Sequence, residues 1–152
     1  MLVIREDDLA GEASRALLAL HLSGMGSNSP PGQVFALGLP ALRSPDVTVW
    51  SAWDGEAIAG LAALRDLGDG SGEIKSMRTH PDHLRRGVAA ALLDIIIGEA
   101  RRRGYPRLSL ETGSGPAFEP ALALYRSRGF VAGEAFGEYV AGEFNQFFHL
   151  PL

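Results

Sequence analysis

A chain of 152 residues with 46% hydrophobic and 21% charged residues is long enough for one buried core and too apolar to be disordered. Its net charge of −4 argues against a protein built to lie along nucleic acid, and its lack of cysteine excludes disulfides, thiolate metal sites and cysteine nucleophiles. The opening MLVIREDDLAG has acids where a signal peptide has basic residues, and no apolar run reaches the roughly 18 residues of a membrane helix. A soluble, cytoplasmic protein forming one domain over residues 1–152 is therefore expected, with no nucleic-acid or membrane partner.

Taken in chain order, LVIRE from Leu2 is short and β-branched and predicts a first strand. Asp7 and Asp8 are placed to cap a helix in which Leu9, Ala13, Leu17 and Leu20 fall near helical spacing. Between Gly24 and Asp46 the pattern breaks up: GSNSPPG predicts a loop, and VFALGLPAL a short helix or a flap over a site. VTVWSAW, a tight turn at Asp54-Gly55 and EAIAGLAALRDL predict a hairpin, and a third antiparallel strand, EIKSMRTH, follows GDGSG.

The helix that begins after Gly87 is the clearest in the chain, with Val88, Leu92, Ile95 and Ile96 on one face. Glu99 is spaced to pair with Arg102 or Arg103, and Gly104 predicts the stop. RLSLET follows as a strand, so Glu73 to Thr112 reads as a parallel strand–helix–strand unit with a right-handed crossover. A further helix, AFEPALALYRSRG, places Phe118, Leu122 and Tyr125 on one face, and short strands near FVAGE and NQFFHL complete an α/β domain of mixed sheet.

The junction HLRRGVAAALL has the elements of an anion site. A helix N-terminus offers unpaired N–H groups, Gly87 allows close approach, Ala89, Ala90 and Ala91 keep the first turn free of bulk, and Arg85 and Arg86 add charge. The alternative is a plain turn with solvated arginines. A P-loop and a dinucleotide fingerprint are both absent, as is a GxSxG serine elbow.

The stretch EIKSMRTHPDHLRRGVAAALL resembles the acyl-coenzyme A signature of the GNAT superfamily of N-acetyltransferases, its [Q/R]-x-x-G-x-[G/A] turn falling on Leu84 to Ala89 with Leu84 in place of the usual Gln or Arg. The order of elements is similar over nearly the whole chain. The resemblance implies a mixed, mostly antiparallel central sheet with a splayed parallel strand pair, flanked by helices. It also implies that acetyl-CoA is the co-substrate, with no metal. Met77, Arg78 and Thr79 would pair with the pantetheine arm through their backbone groups, and Arg85, Arg86, Gly87, Val88, Ala89 and Ala90 would face the pyrophosphate.

By the same resemblance ALYRSRGF places the Tyr125 hydroxyl at the sulfur as the proton donor; periodicity alone also admits a core aromatic. Glu73 is the candidate base, against an exposed strand-end acid paired with Lys75. Glu111 is the competitor, binding or deprotonating a cationic acceptor, against a structural carboxylate of the TGSG turn. Phe118 stands where the family often has asparagine, on the substrate side. His80 and His83 read as a solvated turn, too few for a metal site. GSNSPPGQVFALGLPAL and EAFGEYVAGEFNQFF, the latter with Glu134, Glu138 and Glu143, are the expected acceptor walls. The expected reaction is direct acetyl transfer to a primary amine of a small molecule, against a catalytically weak acyl-CoA-binding sensor or interaction module. The resemblance also allows a homodimer.

Overall fold

The computed structural model describes residues 1–29 and 38–152. Seven strands form one sheet in the order β1-β2-β3-β4-β5-β7-β6: β1 (Leu2–Glu6), β2 (Val47–Asp54), β3 (Ala57–Asp66), β4 (Gly72–Thr79), β5 (Arg107–Thr112), β6 (Val131–Ala132) and β7 (Gln146–Pro151). All neighbours run antiparallel except β4 and β5, the pair joined through a helix, because a parallel return needs a crossover. The helices are α1 (Glu12–Asn28), α2 (Leu39–Leu42), α3 (Val88–Arg102) and α4 (Glu119–Ser127). The β2–β3 hairpin closes on Gly55 and Glu56, with Asp54 paired to Ala57.

The sheet separates two apolar layers. On one face α3 and α4 cover Ala62, Leu64, Ile74, Leu108 and Leu110; on the other α1 covers Leu61 and Ala63 through Leu17 and Leu18. The buried stripe of α3 is Val88, Leu92, Leu93, Ile96, Ile97 and Ala100, whereas Ile95 is 41% exposed. The sequence pattern places Ile95 on the wrong side because seven residues carry the helix about 20° short of two turns, and Leu93 and Ile97 extend the stripe the other way. Ile96 is fully enclosed in the core. Ile96→Ala is expected to cost about 3 kcal/mol, read as a lower urea midpoint at unchanged slope.

The N-terminal helix departs from expectation in two ways. Asp7 does not cap it: its carboxylate accepts from Leu9 N at 2.7 Å, Ser14 Oγ at 2.6 Å and Ser51 Oγ at 2.7 Å, tying the β1–α1 connection to β2. Leu9, predicted inside the helix, is buried in this connection. The helix also continues to Asn28 through the glycines that suggested a loop, because its buried side still packs on the sheet. Gln33 to Leu37 of the expected short helix or flap lie outside the described residues; α2 occupies the end of that stretch.

Candidate active site

The site begins where β4 and β5 part. They pair only at Gly72 with Leu108 and Glu73 with Ser109, so from Ile74 onward the β5-facing edge of β4 has no strand partner among the described residues. A bulge lies in the same stretch: Ser76 has φ 57°, and Leu61 pairs with Arg78 while Ala63 pairs with Lys75. Two residues on β3 thus oppose three steps on β4, which turns Lys75 and Arg78 onto one face where a regular strand would set them on opposite faces. A left-handed serine costs on the order of 1–3 kcal/mol, and Ser76 Oγ is buried with no hydrogen-bond partner.

Past β4 the chain makes a 3-10 turn at Pro81–His83 and enters α3 through Arg85 at φ 61° and Gly87 at φ 79°. Gly87 is the helix N-cap, its Cβ direction is open, and the first turn of α3 holds no acid. This left-handed cap aims the orphan N–H groups of α3 outward with no side chain over them. Arg85 and Ala89 line the adjoining cavity, as does Leu84, which is 58% exposed. Arg86 does not: it leans toward Asp54 at 4.0 Å. Val88 is buried against Gly60 and supports the turn from behind, and Ala90 does not reach the cavity either.

The cavity encloses about 580 Å³ and runs through the splay from α3 and α4 to the α1 face. Met77, Arg78 and Thr79 line it, as do Phe118, Tyr125 and Glu111. Phe118 stacks edge-on against Phe144 and closes one end. Tyr125 belongs to the core and to the cavity at once, with its ring edge-on to Phe130 and its side chain on the lining. Burial pushes its phenol up to about 12, so at neutral pH the hydroxyl is a donor.

The two candidate glutamates have different surroundings. Glu73 is no exposed strand end: it is fully buried, is not among the cavity's lining residues, accepts from the Tyr139 hydroxyl at 2.5 Å and faces Lys75 Nζ at 3.6 Å. The predicted pairing with Lys75 is present, but inside the protein, because the segment carrying Tyr139 folds over the strand. Lys75 also donates to Tyr139 Oη at 2.7 Å. Glu111 lines the cavity beside this cluster, and burial pushes its carboxyl up to about 7, with Lys75 opposing and Glu73 adding to the shift. A carboxyl at that value exchanges protons near neutrality.

Tyr139 and His21 are site residues that sequence reasoning did not single out. Tyr139 sits in a segment without periodicity, and its reach to Glu73 depends on the chain folding back. His21 is buried on α1 and accepts from Arg78 Nε through Nδ1 at 3.1 Å. His149, also buried, lies 2.8 Å from both Ser109 Oγ and the Glu134 carbonyl, a structural bridge between strands and the following loop. His83 is buried rather than solvated, 3.6 Å from Asp54. Glu134, Glu138 and Glu143 are exposed and outside the cavity, with Glu134 bonded to Arg107 at 2.8 Å. The acidic wall is thus a rim, and aromatics from the same segment face inward. Of the other expected wall, residues 30–37 lie outside the described residues. No helix among the described residues is long and apolar enough to cross a membrane.

Comparison with known proteins agrees with this geometry. The Acetyltransferase (GNAT) family model matches residues 16–130. The chain is 53% identical over 136 residues to the uncharacterized N-acetyltransferase YsnE of Bacillus subtilis (strain 168), covering 90% of each chain. It is 46% identical over 152 residues to the uncharacterized N-acetyltransferase YedL of Escherichia coli (strain K12), covering 100% of this chain and 96% of the other. Its fold matches a Bacillus subtilis acetyltransferase solved in complex with CoA, with a TM-score of 0.74 at 18% identity over 100% of this chain and 99% of that one. With a family model over residues 16–130 and relatives 53% and 46% identical along nearly the whole chain, the protein belongs to the GNAT family of acetyltransferases.

Proposed function

We propose that the protein moves the acetyl group of acetyl-CoA directly to a primary amine bound in the same cavity. The observation that supports this best is the free edge of β4 beside the open N-terminus of α3. A pantetheine arm carries amides that pair with an unpartnered strand edge, and a pyrophosphate is the dianion an uncovered helix N-terminus holds best. The buried, unpartnered Ser76 Oγ fits the same reading, since an amide or thioester oxygen beside the bulge would satisfy it.

In this reading Glu111 takes the proton of an incoming ammonium ion and passes it to solvent. The neutral nitrogen then attacks the thioester carbonyl, and backbone N–H groups of β4 at the bulge hold the oxygen as it gains charge. A C–N bond forms, the C–S bond breaks, and Glu111 accepts the second proton that nitrogen loses. Tyr125 donates a hydrogen bond to the departing sulfur, and the CoA thiolate takes its proton from solvent. A thiolate of ordinary basicity, near pKa roughly 8.5, takes a hydrogen bond from so weak an acid more readily than the whole proton. Glu73 is the base expected from the sequence; its enclosure behind Lys75 and Tyr139 suits it instead to holding those two groups in place. Free amine and acetyl-CoA meet without a covalent enzyme intermediate, in keeping with a chain that has no cysteine.

Calorimetric titration with acetyl-CoA tests the donor. Wild-type protein is expected to bind it, with ADP and NAD as weaker controls. Gly87→Glu sets a carboxylate over the helix N-terminus and a side chain at φ 79°, and is expected to weaken acetyl-CoA binding by about tenfold or more while the fold persists. Equal binding by the variant would remove the pyrophosphate from this turn.

A further inference from the structure

Resting on the acetyltransferase reading above, we propose that the acceptor is a primary amine that also bears a carboxylate, of the amino-acid class, and that the Arg78 side chain selects it. The bulge at Ser76 brings Arg78 to the same face of the sheet as Lys75, and both line the half of the cavity bounded by α1 and β5. The two cations differ in their company. Lys75 has the Glu73 carboxylate beside it. Arg78 is half-buried, yet no carboxylate among the described residues comes within ion-pair distance of it. Its partners are neutral: Nε donates to His21 Nδ1 at 3.1 Å and Nη2 to the His21 carbonyl at 3.3 Å. Burial, with Arg78 and Lys75 nearby, drives the His21 imidazole down to about 4, so it stays an uncharged acceptor across the physiological range.

The scaffold also makes room for this guanidinium. A Cβ at Gly24 would stand 2.7 Å from Arg78 Nη2, so the glycine inside α1, which costs that helix about 1 kcal/mol relative to alanine, is where the arginine packs. Nη1 makes no hydrogen bond to a described residue. An arginine oriented by neutral groups, partly withdrawn from water and open to a ligand cavity, is built to receive an anion through its forked donors. Glu111 stands on the opposite strand of the same cavity. One cation and one carboxylate facing a common space complement an ammonium and a carboxylate on a single molecule. A phosphate dianion would add a second negative charge beside Glu111 and matches the pair less well.

The decisive comparison is between free amino acids and their carboxamides, which keep the shape and the amine but lose the anion. Acetylation rates and calorimetric binding to the CoA-loaded enzyme are measured across the common amino acids, their amides and simple alkylamines. Wild type is expected to favour its best amino acid over the matching amide by about tenfold or more in kcat/KM, the range of a hydrogen bond to a charged group. Arg78→Met should erase that preference and raise the amino-acid KM with acetyl-CoA affinity within about twofold of wild type, and Arg78→Lys should restore part of it. Gly24→Ala, which shifts the guanidinium without removing it, should raise the same KM by a smaller factor. Amides serving as well as acids would overturn the proposal, as would simple amines binding where no amino acid does. A loss of acetyl-CoA affinity in Arg78→Met, with acceptor preference intact, would reassign the side chain to the coenzyme. Absence of acetyl-CoA binding by wild type would overturn the acetyltransferase reading together with this one, and so separates the two failures.

Discussion

Glu111→Gln lowers kcat/KM by about 100-fold and removes the acidic limb of its pH profile. On the proposed mechanism the wild-type limb is expected to rise with pH through about 7, where the half-buried Glu111 carboxyl loses its proton and becomes able to accept one from the amine. Glutamine keeps the shape and cannot titrate, so the residual activity follows only the amine's own ionisation. The same substitution changes stability in a pH-dependent way. Glu111 binds its proton more tightly in the folded protein than in the unfolded chain, so its neutral form is favoured by folding and its charged form is not. Below about pH 4.5 the side chain is neutral in both states and costs nothing; as pH rises toward 7 and beyond, wild type loses stability that the glutamine variant keeps. Allowing for partial exposure, the difference at pH 8 is about 1–2 kcal/mol in favour of Glu111→Gln. Paired thermal melts at pH 4.5 and pH 8 check the sign. Equal pH profiles for the two proteins would transfer the base to Glu73 or to water.

Tyr125→Phe reduces kcat by about 100-fold while leaving acetyl-CoA binding within about twofold. The phenyl ring retains the edge-on contact with Phe130 and its place on the buried face of α4, so the variant folds. On the proposed mechanism, what disappears is the donor that meets negative charge as the C–S bond breaks. That interaction strengthens toward the transition state, which is why the loss falls on kcat rather than on binding. Acetyl donors with a better leaving thiol should recover part of the lost rate. An unchanged kcat would return Tyr125 to a purely structural role.

The strand–helix–strand unit around Gly87 was legible from residue order alone, because helix periodicity, the glycine stop signals and the crossover rule are local or nearly so. Asp7 was misread for a local reason too: an acid before a helix predicts a cap, but Ser51 on β2, 44 residues away, offered a competing partner. Tyr125 was legible as a residue of one apolar face, and only the tertiary structure shows that this core aromatic also lines the cavity.

By itself, then, the sequence determined the mixed sheet, the glycine turn that opens α3 at Leu84 to Ala89 and the absence of cysteine chemistry. Each depends on neighbours within a turn or a strand. The tertiary structure alone decided which carboxylate meets the cavity. Glu73 and Glu111 have similar strand contexts, yet one is enclosed by Tyr139, 66 residues away, and the other is left at the edge of the splay. It alone decided that Lys75 and Arg78 share a face, since a bulge at an ordinary serine reverses the alternation from which strand faces are read. Protonation states and charge pairing at a site are sums over groups distant in sequence, and no spacing rule along the chain contains them.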